Sequence, residues 1–241
     1  MAIIGGTGIG ESLLRGETEA VTVETVRGVL HAERGELDGC EVVLVRRHAA
    51  GHFIPPHRVP YAAMALGLKA LGVEVCLASA AVGSLRADWG TGTLAVCDGF
   101  IDMSSRNLTL FEDEVQHTDF TSPFGALARE GLLGACRAEG LAVQERAVYV
   151  CTNGPRYETP QEIEAYRRLG GDVIGMTAAS EAVLMREAGI DYGCLAVVTN
   201  LAAGLAGERR SHAEVEAAMR ASAGSVVAVL ARAAKELSCR R

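Results

Sequence analysis

Short apolar runs recur along the 241-residue chain, each broken by glycine, proline or a polar cluster. Residues 2–4 (AII), 41–45 (EVVLV), 74–80 (EVCLASA), 93–101 (TLAVCDGFI), 146–152 (RAVYVCT), 172–176 (DVIGM) and 192–200 (YGCLAVVTN) read as buried strands. Between several of them the apolar period lengthens to that of a helix. Residues 60–72 set Tyr61, Met64, Leu68 and Leu71 on one helical face and stop at Gly72. Residues 124–140 behave in the same way. Thr159, Pro160 and Glu162 open a helix over 159–171 with a capping box and a proline at its first position. Ser180 is the expected cap of a helix over 179–190, and 211–237 form a long alanine-rich helix. Buried strands alternating with helices predict an α/β fold with a largely parallel or mixed sheet. No repeat, low-complexity stretch or linker divides residues 1–241, which therefore read as a single domain.

Composition narrows the chemistry. Half of the residues are hydrophobic but only 5% are aromatic, so the core must be aliphatic and rich in alanine. The formal charge is −7 with no basic block, which argues against nucleic acid or an anionic membrane as a partner. An anionic ligand would need local backbone amides and a few cations. The seven cysteines are scattered and form no C-x-x-C pair. Cys76, Cys97, Cys151 and Cys194 lie in or beside apolar runs as small buried hydrophobes, which points to a reducing cytoplasm. The first ten residues lack the basic and apolar regions of a signal peptide, and no apolar run reads as long enough to cross a bilayer. No ligand set with metal spacing and no Ser-His-Asp arrangement is evident; GSL at 83–85 is not a nucleophile elbow.

In α/β sheets ligands collect beyond the carboxyl ends of the strands, so the polar residue just past each apolar run matters most. IIGGTGIG places glycine amides and the Thr7 hydroxyl after the first strand; it reads as a tight turn or as an anion cradle. Arg47 and His48 follow the second run, and arginine offers a planar donor fork for phosphate. His52, His57 and Arg58 in the same stretch read as a solvated loop. The small residues Ala80 and Ala81 either pack tightly or bring backbone amides close to an anion. Tyr157 and Glu158 lie between a strand and the capped helix, where Glu158 is a surface acid or a hydrogen-bond acceptor. Met176 is core filler or a ligand contact, and Thr177 supplies a hydroxyl near a helix start. Asn200 ends the last strand, as a turn cap or as a ligand amide, and His212 opens the final helix. Together these strand ends outline an anion pocket (Thr7, Arg47, His48, the 80–81 amides and Thr177) beside an acceptor and an amide, Glu158 and Asn200.

The motifs IIGGTGIG, RRHAAGHFIPPHRVPY, SAAVGSL, QHTDFTSPF, TNGPRYET, DVIGMT and VVTNLAAG, in this order and spacing, resemble those of the trimeric purine nucleoside phosphorylase and methylthioadenosine phosphorylase family almost end to end. The resemblance implies a nucleoside phosphorylase-like fold, a mixed twisted central sheet flanked by helices. It also implies attack of inorganic phosphate on C1′ of a purine nucleoside, with phosphate as co-substrate and no cofactor or metal. It implies a homotrimer, or a dimer of trimers, in the cytoplasm. Thr7, Arg47, His48, Thr177 and the backbone of Ala81 match the family's phosphate ligands. Ala80 departs from a position where relatives usually carry Thr, Ser or Asn. Met176 matches the residue beneath the ribose, and Tyr157, Glu158, Asn200 and Ala202 fall with the substrate ligands. His117 resembles the segment that crosses into the adjacent subunit's site.

Hydrogen-bond polarity then separates the family's branches. Relatives that cleave methylthioadenosine place Asp where this chain has Asn200, and adenine-specific relatives typically have Ser at the position of Glu158. Asn200 can donate to a purine O6 and accept from N7–H, and Glu158 can accept N1–H. A 6-oxopurine satisfies both; adenine sets its N1 lone pair against the carboxylate, and a buried mismatch of this kind discriminates by roughly 10⁴-fold or more. Asn200 also meets charge building on N7 and O6 as the glycosidic bond breaks, a catalytic role it shares with His48 at the phosphate. His212 resembles the histidine that bonds the 5′-hydroxyl in inosine and guanosine phosphorylases. Much else, HTDF included, resembles bacterial methylthioinosine phosphorylases, which keeps 5′-methylthioinosine as the alternative substrate. A nucleoside hydrolase and a non-catalytic nucleoside-binding module fit the anion ligands less well.

Overall fold

The computed structural model describes residues 1–9, 13, 17–49, 51, 53–205 and 212–239. Their strands join one eleven-stranded sheet: β1 Ala2–Gly5, β2 Glu19–Thr25, β3 Gly28–Leu37, β4 Cys40–Arg46, β5 Val75–Ser84, β6 Leu94–Val96, β7 Gly99–Asp102, β8 Val143–Gln144, β9 Val148–Cys151, β10 Val173–Gly175 and β11 Asp191–Leu201. The helices are α1 Tyr61–Ala70, α2 Ala126–Ala138, α3 Pro160–Arg168, α4 Ala178–Ala188 and α5 His212–Ser238. The mixed sheet with flanking helices is the α/β architecture that the alternation of runs predicts.

The period of two in each strand sorts the core into two layers. Ala2, Ile4, Val43, Val45, Ala78 and Ala196 bury against α1 and α4. Their neighbours Ile3, Val42, Leu44, Leu77, Leu195 and Val197 bury against α2 and α5. Both faces of the central strands are covered, which is why these runs are apolar throughout rather than alternating.

Strand β5 is the hub. Its whole length, 75–84, pairs in parallel with β11 on one edge. On the other edge β1 takes only 76–78, in parallel, and β10 takes only Gly83 and Ser84, antiparallel. The edge over 79–82 therefore has no strand partner among the described residues, and the sheet splits there. Beyond Val198 the β5–β11 register shifts, so that Asn200 stands opposite Gly83 at the split.

Several expectations need correction. The hairpin β2–β3 was not legible because its polar alternation buries little: in β2 no residue is fully buried. Residues 93–101 are two strands, not one; the chain leaves β11 after Val96 and re-enters the sheet beside β9 as β7. Helix α4 begins at Ala178, with Thr177 rather than Ser180 at its N-cap, and Ser180 is buried one turn in. Ala213–Ser238 of α5 is long and apolar enough to cross a bilayer by length and composition, contrary to the sequence reading. Here it acts as a core helix: Met219, Val226, Val229, Leu230, Ala233 and Ala234 are buried, while Arg232 and Lys235 pair with Glu139 and Asp38. Cys76, Cys97, Cys151 and Cys194 are free, buried thiols, as their apolar settings predict.

Candidate active site

The strand ends converge on a cavity of about 570 Å³ at the split beside β5. Thr7, Arg47, His48, Ala80, Ala81, Tyr157, Glu158, Met176, Thr177, Asn200 and Ala202 all line it. Residues from or just beyond β1, β4, β5, β10 and β11 thus meet in one space although they span nearly 200 positions of sequence.

At one end the lining is rich in hydrogen-bond donors and carries a buried guanidinium. Arg47 lies just beyond β4, where its backbone N–H still bonds Gly5 O at 3.3 Å. Its side chain is almost fully buried and donates through Nε and Nη2 to the two oxygens of Glu181, the Nη2 bond being 2.9 Å, and through Nη1 to Ser79 O at 3.0 Å. Burial opposes the guanidinium charge, but the attraction and hydrogen bonds of Glu181 outweigh it and raise the pKa further. The glycine before Thr7 follows from this arrangement: a Cβ on Gly6 would stand 2.9 Å from Arg47 Nη1 and 2.7 Å from Ser79 O. His48 is locked to Ile54 in both directions. Its Nδ1 donates to Ile54 O at 2.7 Å, and Ile54 N–H donates to His48 O at 3.1 Å. In the neutral ring the proton therefore sits on Nδ1. Thr177 is the N-cap of α4 but makes no side-chain capping bond; its N–H donates instead to the Tyr149 hydroxyl at 3.2 Å. Burial pushes the pKa of that phenol well up, so it stays a neutral acceptor.

At the other end stand a carboxyl group and an amide. Glu158 accepts a hydrogen bond from Thr152 Oγ1 at 2.7 Å. Burial raises its pKa above the usual carboxylate range, and the Thr152 bond opposes that rise. Asn200 donates from Nδ2 to Leu201 O at 2.9 Å and its Oδ1 lies 2.9 Å from Thr199 Oγ1, which fixes the amide's orientation. The local turn bond and the place in the cavity coexist. Among the described residues, one N–H and one lone pair of the amide have no partner. Gly83 is the partner of Asn200 in the β5–β11 ladder: a Cβ there would be 3.1 Å from Ile174 and 3.5 Å from Asn200 Nδ2.

Of the predicted residues, His117 is exposed and does not line the cavity. The side chain of His212 lies outside the described residues; among the described residues of α5, Val215 lines the cavity. Sequence reasoning also missed the supporting residues. Glu181 is an acid within the apolar run AASEAVLM, and that misplaced charge is the signal that could have found it. Arg106 sits behind the wall, donating to Thr152 O at 2.6 Å, Met176 O at 2.7 Å and the Tyr61 hydroxyl at 3.0 Å. The Tyr61 hydroxyl in turn donates to Pro56 O at 2.8 Å. Arg106 thus ties three wall segments together, and no local pattern marks it.

Residues 1–235 match the family model of the phosphorylase superfamily. The chain belongs to that superfamily. It is 40% identical over 239 residues to the 6-oxopurine nucleoside phosphorylase of Pyrococcus furiosus, covering 95% of this chain and 90% of that one. It is 41% identical over 237 residues to a probable S-methyl-5′-thioinosine phosphorylase of Pseudomonas syringae pv. tomato, covering 96% of each. Among solved structures, methylthioadenosine phosphorylase from Schistosoma mansoni in complex with adenine superposes with a TM-score of 0.93 at 28% identity, covering 99% of this chain and 91% of that one. The phosphorylase fold and the enzyme class expected from the motifs stand on these matches as well as on the geometry.

Proposed function

We propose that this phosphorylase cleaves 6-oxopurine nucleosides, inosine and guanosine, with inorganic phosphate, releasing the free base and ribose 1-phosphate. The observation that carries the reading is a single cavity lined at one end by Arg47, His48 and Thr177 and at the other by Glu158 and Asn200. The cleavage breaks the C1′–N9 bond and leaves its electron pair on the purine. Asn200 meets that charge at N7 and O6, Glu158 accepts N1–H, and Met176 packs under the ribose. A phosphate oxygen then bonds C1′. With the proton of neutral His48 on Nδ1, contact of Nε2 with phosphate uses the imidazolium form or the phosphate's own P–OH proton. Phosphate is the co-substrate, and no metal or cofactor enters the scheme. We read residues 1–241 as one catalytic domain serving purine salvage in the cytoplasm. In a homotrimer, or in a hexamer of paired trimers, His117 would complete a neighbour's site.

One observation favours a second reading, 5′-methylthioinosine. Val215 brings an apolar surface from α5 into the cavity, three residues beyond His212. A thioether matches the valine, whereas a 5′-hydroxyl matches the histidine. Base release from inosine, guanosine, methylthioinosine and methylthioadenosine, each with and without phosphate, decides the matter. Rapid cleavage of methylthioadenosine, or release without phosphate, sinks the main reading. Replacing His212 by Met is expected to raise the preference for methylthioinosine over inosine; an unmoved ratio of the two kcat/KM values excludes His212 from the 5′ side.

A further inference from the structure

We propose that Glu181 is a positioning residue of the anion site: its buried carboxylate fixes the guanidinium of Arg47 and cancels its charge, so that phosphate meets an oriented N–H fork rather than an unpaired cation. The inference rests on the phosphate reading above.

Glu181 lies in the first turn of α4, fully buried, and does not line the cavity. Both of its oxygens are occupied by Arg47, and the Tyr192 hydroxyl donates to Oε2 at 2.6 Å. Tyr192 is itself held against Phe124, with ring centroids 5.9 Å apart and planes 27° from parallel. Arginine has five N–H donors. Glu181 takes one on Nε and one on Nη2, and Ser79 O takes one on Nη1. Among the described residues no acceptor takes the remaining N–H on each Nη, a pair that suits two oxygens of one phosphate.

A buried ion pair adds little stability over apolar residues of the same volume, so its place directly behind an anion ligand needs a functional reason. Chemistry supplies one. An unpaired arginine would hold the phosphate dianion tightly in the ground state. The attacking oxygen must give up charge to C1′ in the transition state, and binding lost on the way there raises the barrier. Pairing with Glu181 keeps the geometry of the fork and removes the excess ground-state attraction.

The test is steady-state kinetics on the full chain, with phosphate and nucleoside varied separately. Glu181→Gln is expected to lower the phosphate KM about threefold and kcat about tenfold or more, with the nucleoside KM unchanged. A purely structural role would raise the phosphate KM instead. Tyr192→Phe keeps the charge and is expected to leave the phosphate KM within about twofold. Should Glu181→Gln fail to fold, Glu181→Asp keeps the charge but shortens the reach. It is then expected to raise the phosphate KM about fivefold with the nucleoside KM unmoved. A raised or unchanged phosphate KM in Glu181→Gln, or an unchanged one in Glu181→Asp, overturns the inference. A wild-type protein that releases no base in phosphate overturns the functional reading instead.

Discussion

Asn200 shows how one side chain can make a local turn bond and line a cavity together. Its Nδ2 donates to Leu201 O, the local bond that the sequence context suggests, and the same amide lines the cavity. Replacing it by Asp removes the donor and adds negative charge where the leaving purine becomes negative. Asn200→Asp is therefore expected to cut kcat/KM for inosine by about 100-fold or more, with far less effect on the phosphate KM. Glu158 brings a pH dependence. Because burial raises its pKa, the carboxyl takes up its proton at a higher pH than an exposed glutamate and then no longer accepts N1–H. Inosine cleavage should fall as pH drops through that raised pKa, and Glu158→Gln should abolish this limb of the kcat/KM profile. The stability effect has the opposite sense. The folded state holds the Glu158 proton more tightly than the unfolded chain, so the contribution is complete below the ordinary carboxylate range and is lost as pH rises through the raised pKa. Asn200 was legible because it ends an apolar run, and Glu158 because it lies between a strand and a capped helix. Glu181 and Arg106 were not, because their partners come from elements far away in sequence.

At the scale of elements, the clearest agreement is helix α3. Glu162 N–H donates to Thr159 Oγ1 at 3.2 Å, and Thr159 N–H donates to Glu162 Oε2 at 2.8 Å, the reciprocal capping box expected from the four residues. Hydrogen bonds from Arg156 and then from the Thr159 N–H hold the Glu162 pKa down to about 2. Thr159→Ala is expected to cost about 1 kcal/mol, read as a lower urea midpoint with an unchanged slope. The cap also directs the chain out of the Tyr157–Glu158 segment, so a modest rise in nucleoside KM should accompany the loss. Local signals of this kind are short-range and survive in the sequence. The β2–β3 hairpin and the break between β6 and β7 depend instead on which strand lies alongside, and periodicity alone carries no such information.

At the scale of the molecule, the exposed position of His117 outside the cavity fits a residue that acts on a neighbouring copy. His117→Ala is expected to lose about tenfold or more in activity while light scattering still reports the wild-type molecular mass. Mixed assemblies refolded from His117→Ala and Asn200→Asp chains should regain activity that neither variant has alone. No recovery would place each site within a single chain.

The sequence by itself determined the α/β class, the strand ends that meet in the cavity and the α3 cap, because each follows from contacts within a few residues. Only the tertiary structure decided that β1 and β10 leave the middle of one edge of β5 uncovered, that an acid from α4 neutralises Arg47, and that Val215 reaches the cavity. Those features arise where distant segments compete for the same hydrogen-bonding edge or the same buried charge, and that competition is settled only when the chain is packed.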